Sequence, residues 1–353
     1  MAEILDKKRN NTVDIIRGLA MLLVVLGHTI TGSTKNGENS FVYNIIWTLQ
    51  MPLFMLISGY VNKYSKPITD FKSLGSFFLK RLRAYILPFA VWTFIIRGII
   101  FKQTGYLNIK NLIFNMDNGY WFLFSIFNIA IIIGIADFLS YGIFKKQNEY
   151  VKLTIKTFFY VLGMCSLAVV GYFMGLSFLC IKLTLYYMPF YYVGYLYSKF
   201  DTKFNEIKFF KISSDIVIAL SFVLWIFLMK RYNFFEIGDS GFGIMLRALA
   251  SMLGCISVCG LVCPLVVKTR EKSNKSSKIF SLFEITGRYS LEIYLSHYLV
   301  LSMIKPENLP AFQTLSGVTL TVVNYVLTIL VVTLIVLLIN SNKILRGLCF
   351  GKK

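Results

Sequence analysis

Apolar runs of about 20 residues, long enough to cross a bilayer, recur along the whole chain. Backbone groups in hydrocarbon must be satisfied within the protein, so runs of this length predict helices. Of 353 residues, 56% are hydrophobic. The chain reads as an all-α, polytopic integral membrane protein of about ten transmembrane helices, one domain over residues 1–353. The predicted spans are residues 12–32, 41–61, 77–101, 119–140, 151–172, 176–197, 211–230, 242–267, 284–303 and 318–340. The polar start MAEILDKKRNN and the full length of the first run do not fit a cleavable signal peptide.

The net charge of +20 would suit a nucleic-acid binder, but its distribution argues for topology instead. With the first residues placed inside, about 27 Lys and Arg fall in cytoplasmic segments and about six in outer ones. That asymmetry predicts an even number of spans and cytoplasmic termini, in a multi-pass protein of the cell membrane, with no nucleic-acid partner. The six cysteines show no paired framework. Cys255, Cys259 and Cys263 recur at helical spacing with no His or acid beside them, which reads as packing rather than a metal site or a disulfide.

The first span, TVDIIRGLAMLLVVLGHTITG, carries Asp14, Arg17 and His28. Ionisable groups inside a membrane segment are costly and mark function more often than packing. Arg17 and His28 are about three helical turns apart, on nearly the same face and roughly 16 Å apart along the axis. Asp14 projects within about 40° of His28. The structural alternative is an Asp14–Arg17 pair at a helix end and a His28 that bonds a neighbouring helix.

Further along, Gln50 precedes Pro52 in the second span, where proline removes a backbone donor and predicts a bend beside a polar amide. Lys80, Arg81 and Arg83 cluster at the cytoplasmic mouth of the third span, as topology determinants or as a site for phosphate. Tyr120 and Trp121 open the fourth span, as an interfacial belt or an acceptor platform. Glu292 and His297 lie in the ninth span, about 140° apart on a continuous helix. The sixth span is rich in tyrosine, YYMPFYYVGYLY, suited to an interface or a polar cavity.

Taken in order, DIIRGLAMLLVVLGH (14–28), MPLFMLISGY (51–60), the basic Lys80–Arg83 cluster, YWFL (120–123) and SLEIYLSH (290–297) resemble the membrane-bound acyltransferase 3 family, in its fucose 4-O-acetylase-related branch. The resemblance implies an integral O-acyltransferase, most simply an O-acetyltransferase, that uses acetyl-CoA as co-substrate and holds no permanent cofactor. The acceptor would be a hydroxyl of a cell-surface or lipid-linked glycan. The family's Arg and His carry over to Arg17 and His28. Its paired cytoplasmic arginines match approximately, as Lys80 and Arg83 with Arg81 between them. Relatives in this branch often carry His where this chain has Gln50, and an amide donates a hydrogen bond but takes no proton.

The implied roles are His28, Arg17 and Asp14 in catalysis, Lys80, Arg81 and Arg83 at the donor, and Gln50, Tyr120, Trp121, Glu292 and His297 at the substrate. Acyl transfer needs a base for the attacking hydroxyl, and neutral imidazole suits that task near pH 7. The partners would be an acyl-CoA donor, the glycan acceptor and the bilayer, with homo-oligomers left open. A secondary transporter or flippase would use intramembrane Arg, His and Glu as well, and is the alternative reading.

Overall fold

The computed structural model describes residues 10–116, 119–206, 208–238, 240–272, 278–301 and 303–352. The helices are α1 (Asn11–Ser33), α2 (Phe41–Val61), α3 (Phe71–Ile100), α4 (Ile109–Phe114), α5 (Trp121–Ile143), α6 (Glu149–Met174) and α7 (Ile181–Glu206). They continue as α8 (Lys208–Arg231), α9 (Gly241–Lys272), α10 (Lys278–Arg288), α11 (Ser290–Ser296), α12 (Leu315–Ser341) and α13 (Lys343–Phe350). Among the described residues seven are long and apolar enough to cross a membrane, namely α1, α2, α3, α5, α6, α9 and α12. This is an all-α polytopic membrane protein.

Three expected spans take a different form. The sixth begins only at Ile181, after a 3₁₀ turn in which Leu179 has φ 46°, and runs on to Glu206. The third starts six residues early, at Phe71, and winds as a π-helix on both sides of the turn that holds Pro88. The ninth is not one helix. It divides into α10 and α11, with Tyr289 at φ −106°, ψ 17° between them, and then tightens into a 3₁₀ turn over His297–Leu299. Gly287, a poor helix former, stands at the break. The second span passes through Pro52 as one helix.

The chain forms two compact units. The first comprises Met1–Ile57 and Phe200–Leu334. Its α1 is capped by Asn10, whose Oδ1 accepts from the backbone of Thr12 at 3.1 Å and of Val13 at 3.4 Å. A side-chain oxygen here satisfies donors that the first helical turn leaves open. Helix α2 packs Leu49 with Trp225 and Met229 of α8, Ala250 of α9, and Phe234 of the turn between those two helices into a buried core. Helix α12 buries three polar side chains, Thr321, Asn324 and Thr328. Asn324 accepts from the backbone N–H of Ile304 at 2.9 Å and donates to Ile304 O at 2.9 Å and Ser33 Oγ at 3.0 Å. Thr328 donates to Val300 O at 3.2 Å. These bonds explain how the segment after His297 can leave helical form in a membrane protein, because freed backbone groups there need protein partners.

The second unit comprises Ser58–Lys199 and Ile335–Lys353. Gly59 crosses α7 so closely that a Cβ would stand 1.8 Å from Tyr191 O. A buried ion pair joins Lys156 to Asp137 at 2.6 Å, and Ile68 N–H donates to the second Asp137 oxygen at 2.9 Å. Four tyrosines of α7, Tyr187, Tyr191, Tyr192 and Tyr195, are buried, and Tyr192 stacks on Tyr160 at 4.5 Å and bonds Thr157 at 2.6 Å. Ahead of α3, Asp70 and Ser73 form a reciprocal capping box. The Ser73 backbone N–H holds the Asp70 carboxyl below its usual value.

Candidate active site

The first unit brings together the two histidines of the chain. His28 lies on α1 five residues before the helix ends. His297 opens the 3₁₀ turn after α11 and is fully buried. Their ring centroids are 5.4 Å apart. Tyr298 completes the cluster: its Oη is 2.9 Å from His28 Nε2, and its ring lies 4.7 Å from that of His28 and 4.4 Å from that of His297.

The turn fixes one tautomer directly. His297 Nδ1 is 2.7 Å from Tyr294 O and 3.1 Å from Ile293 O, both acceptors, so Nδ1 carries a proton. In the neutral ring the lone pair is then on Nε2. At His28 the partner is a hydroxyl, which donates or accepts, so Tyr298 fits either tautomer and anchors the ring in both.

Gln50 reaches the same region from α2. Its Oε1 would lie 3.3 Å from a Cβ placed on Gly27, the neighbour of His28, and Ile46 and Tyr43 cover the same glycine. The Gln50 Oε1 is buried and accepts no hydrogen bond among the described residues. Glu292 is fully buried on α11, one turn before His297.

At the other end of α1, Asp14 and Arg17 sit where α1 crosses α10. A Cβ on Gly18 would stand 1.9 Å from Phe283 O, and one on Gly287 would stand 1.8 Å from Asp14 O. Only two glycines let the backbones approach this closely. Asp14 is buried, and its carboxylate lies 3.8 Å from Arg288 Nε. Arg288 also bonds Glu284 one turn back. Asp14 therefore has a partner on α10 that its proximity to Arg17 in sequence did not suggest. Arg17 is half-buried on the same stretch of α1.

Five expected site residues belong to the second unit. Lys80 and Arg83 line an open groove of about 530 Å³ together with Lys72, Phe71 and Leu79. Arg81 is turned away from it and lies over the Phe77 ring at 4.7 Å. Lys80 and Arg83 thus share this groove with Lys72 from the preceding turns. Tyr120 is buried against Trp92, and Trp121 stacks on Tyr187 at 5.5 Å and 11°. Both rings have these contacts within that unit.

A family sequence model described as an acyltransferase domain matches residues 10–340. The chain belongs to the acyltransferase 3 family. Two curated relatives of this acyltransferase 3 chain are the nodulation proteins NolL. The one from Sinorhizobium fredii (strain NBRC 101917 / NGR234) is 26% identical over 201 residues, which cover 54% of this chain and 49% of the relative. The one from Mesorhizobium japonicum (strain LMG 29417 / CECT 9101 / MAFF 303099) is 24% identical over 201 residues, 54% of this chain and 48% of the relative. The aligned part thus spans about half the length of the curated relatives it matches. No solved structure matches the chain.

Tyr298, Arg288 and Asn324 are the site residues of this family member that sequence reasoning passed over. Tyr298 was signalled only by its place after His297. Arg288 was counted as a topological charge. Asn324 with Thr321 and Thr328 forms a polar stripe at spacings of three and four in the middle of a largely apolar helix, which is a readable sign of a buried polar contact.

Proposed function

We propose that this acyltransferase 3 chain is a membrane-embedded O-acyltransferase that moves an acetyl group from cytoplasmic acetyl-CoA to a hydroxyl of a cell-surface or lipid-linked glycan. The observation that carries the reading is the convergence of His28, His297 and Tyr298 within one unit, with Tyr298 Oη 2.9 Å from His28 Nε2. Family membership supports acyl transfer over a transporter that uses the same residue types.

In this mechanism His28 is the general base. With its proton on Nε2 donated to Tyr298, Nδ1 holds the lone pair that takes the proton of the acceptor hydroxyl. The hydroxyl oxygen attacks the thioester carbonyl, the C–S bond breaks, and the proton returns from the imidazolium to the departing thiolate. Donors beside the developing oxyanion matter most where water is scarce. Gln50 supplies an amide there, and His297 and Glu292 line the acceptor side.

Arg17 sits roughly 16 Å from His28 along α1, too far to bond the imidazole. It serves the donor side, and Asp14 with Arg288 and Glu284 holds that end of α1 in place. Lys80 and Arg83, with Lys72, take phosphates of CoA in their groove, and Arg81 packs on Phe77 outside it. Both termini are assigned to the cytoplasm of a cell-membrane protein by the Lys and Arg asymmetry. Mass spectrometry of surface glycans from cells with and without the gene tests the reading. Loss of an acetyl increment supports it, and an unchanged glycan profile together with coupled substrate flux favours the transporter.

A further inference from the structure

The first unit carries a concave feature apart from the histidine cluster. It is a groove of about 540 Å³ between the start of α2 and the end of α8. Asn39, Phe41, Lys230, Arg231, Tyr232 and Asn233 form its rim. Its floor is set by Asn44, a buried amide that donates to Met229 O at 3.0 Å and Tyr232 O at 2.7 Å and accepts from Phe234 N–H at 2.9 Å. Asn44 thereby satisfies the carbonyls that the end of α8 leaves open. Across the mouth, Asn233 donates to Asn39 at 3.2 Å, so exposed amides face each other over the groove.

Two observations give this groove a ligand chemistry. The first is its make-up: an ammonium, a guanidinium, three amides, a serine hydroxyl and two aromatic rings, with no carboxylate among the described lining residues. Guanidinium and ammonium groups hold carboxylate or phosphate, while amides and aromatic faces suit a hydroxylated ring. The second is placement. Lys230 and Arg231 are two of about six cations on the face that the charge asymmetry puts outside, where such residues are depleted. Two adjacent exposed cations there are an exception with a cost in topology. Cations also favour a helix C-terminus on dipole grounds, and the test below separates that role from binding.

The groove also connects to the histidines through one element. From Phe41 at the rim to Gln50 beside Gly27, α2 runs about 13 Å. His28 lies near this end of α1, five residues before Ser33.

We propose that this groove binds an anionic group, carboxylate or phosphate, on the glycan acceptor, and so presents a hydroxyl farther along that acceptor toward His28. The proposal rests on the acyl-transfer reading above and names the class of acceptor: an acidic glycan rather than a neutral one. The same anion chemistry is offered by the phosphate of a lipid headgroup, so the lipid is controlled.

The experiment uses the full chain in nanodiscs of phosphatidylcholine and equilibrium dialysis with two labelled probes, the hyaluronan tetrasaccharide, which is acidic, and chitotetraose, which is neutral. The wild type is expected to bind the acidic probe at least about tenfold more tightly. The double variant Lys230→Gln, Arg231→Gln is expected to lose that preference while its chitotetraose affinity and melting curve stay unchanged. Equal affinity for the two probes, no binding of the acidic one, or a preference that survives in the variant overturns the proposal. So does a variant whose one defect, in nanodiscs containing phosphatidylglycerol, is weaker retention of that lipid. Failure of the underlying reading looks different: no acetyl transfer to a glycan of either charge, with the acidic preference still present.

Discussion

His28 and His297 come from opposite ends of the chain and lie 5.4 Å apart between ring centroids, with the Tyr298 hydroxyl 2.9 Å from His28. The pairing depends on an interruption: α10 ends at Arg288, α11 lasts seven residues, and the following turn presents His297 and Tyr298 to α1.

Tyr298→Phe keeps the ring contacts and removes the hydroxyl. Because the hydroxyl anchors the His28 ring, turnover is expected to fall about tenfold, with little change in KM for acetyl-CoA. Steady-state kinetics with a supplied glycan check it. An equal loss in the Tyr298→Leu and Tyr298→Phe proteins assigns the effect to the hydroxyl rather than to the ring.

Asn324→Ala leaves both backbone groups of Ile304 without their side-chain partner. A buried group deprived of its hydrogen bond costs roughly 1–3 kcal/mol. The variant is expected to unfold at a lower temperature than wild type in detergent, and to lose transfer along with stability, because the segment it pins follows directly on Tyr298.

Much of this was legible in the sequence. The apolar runs give the helices, and the Arg17–His28 spacing places two ionisable groups on one face of α1, because both are local properties of a 3.6-residue repeat. What was not legible depends on contacts between distant segments. The partner of Asp14 is Arg288, set by a crossing that needs Gly18 and Gly287 together. The break in the ninth span is stabilised by Asn324 and Thr328 on α12, far away in sequence. The groove on α3 selects Lys80 and Arg83 but turns Arg81 onto Phe77, a distinction that the run KRLR does not carry.

That distinction predicts unequal effects at the donor. Lys80→Gln with Arg83→Gln should weaken acetyl-CoA binding at least about tenfold and flatten its dependence on salt. Arg81→Gln alone should change affinity about twofold or less, since its guanidinium packs on an aromatic ring. Isothermal calorimetry on the purified proteins reads both.

The central claim is that His28 takes the proton of the attacking hydroxyl. The direct measurement is paired: acetyl-CoA affinity by calorimetry and acetylation of a supplied glycan, both on folded His28→Ala protein. A base acts in the transition state, so donor binding should stay within about twofold of wild type while transfer falls by roughly 10²–10⁴. Near-full transfer by the folded His28→Ala protein would contradict the assignment and move the base to His297.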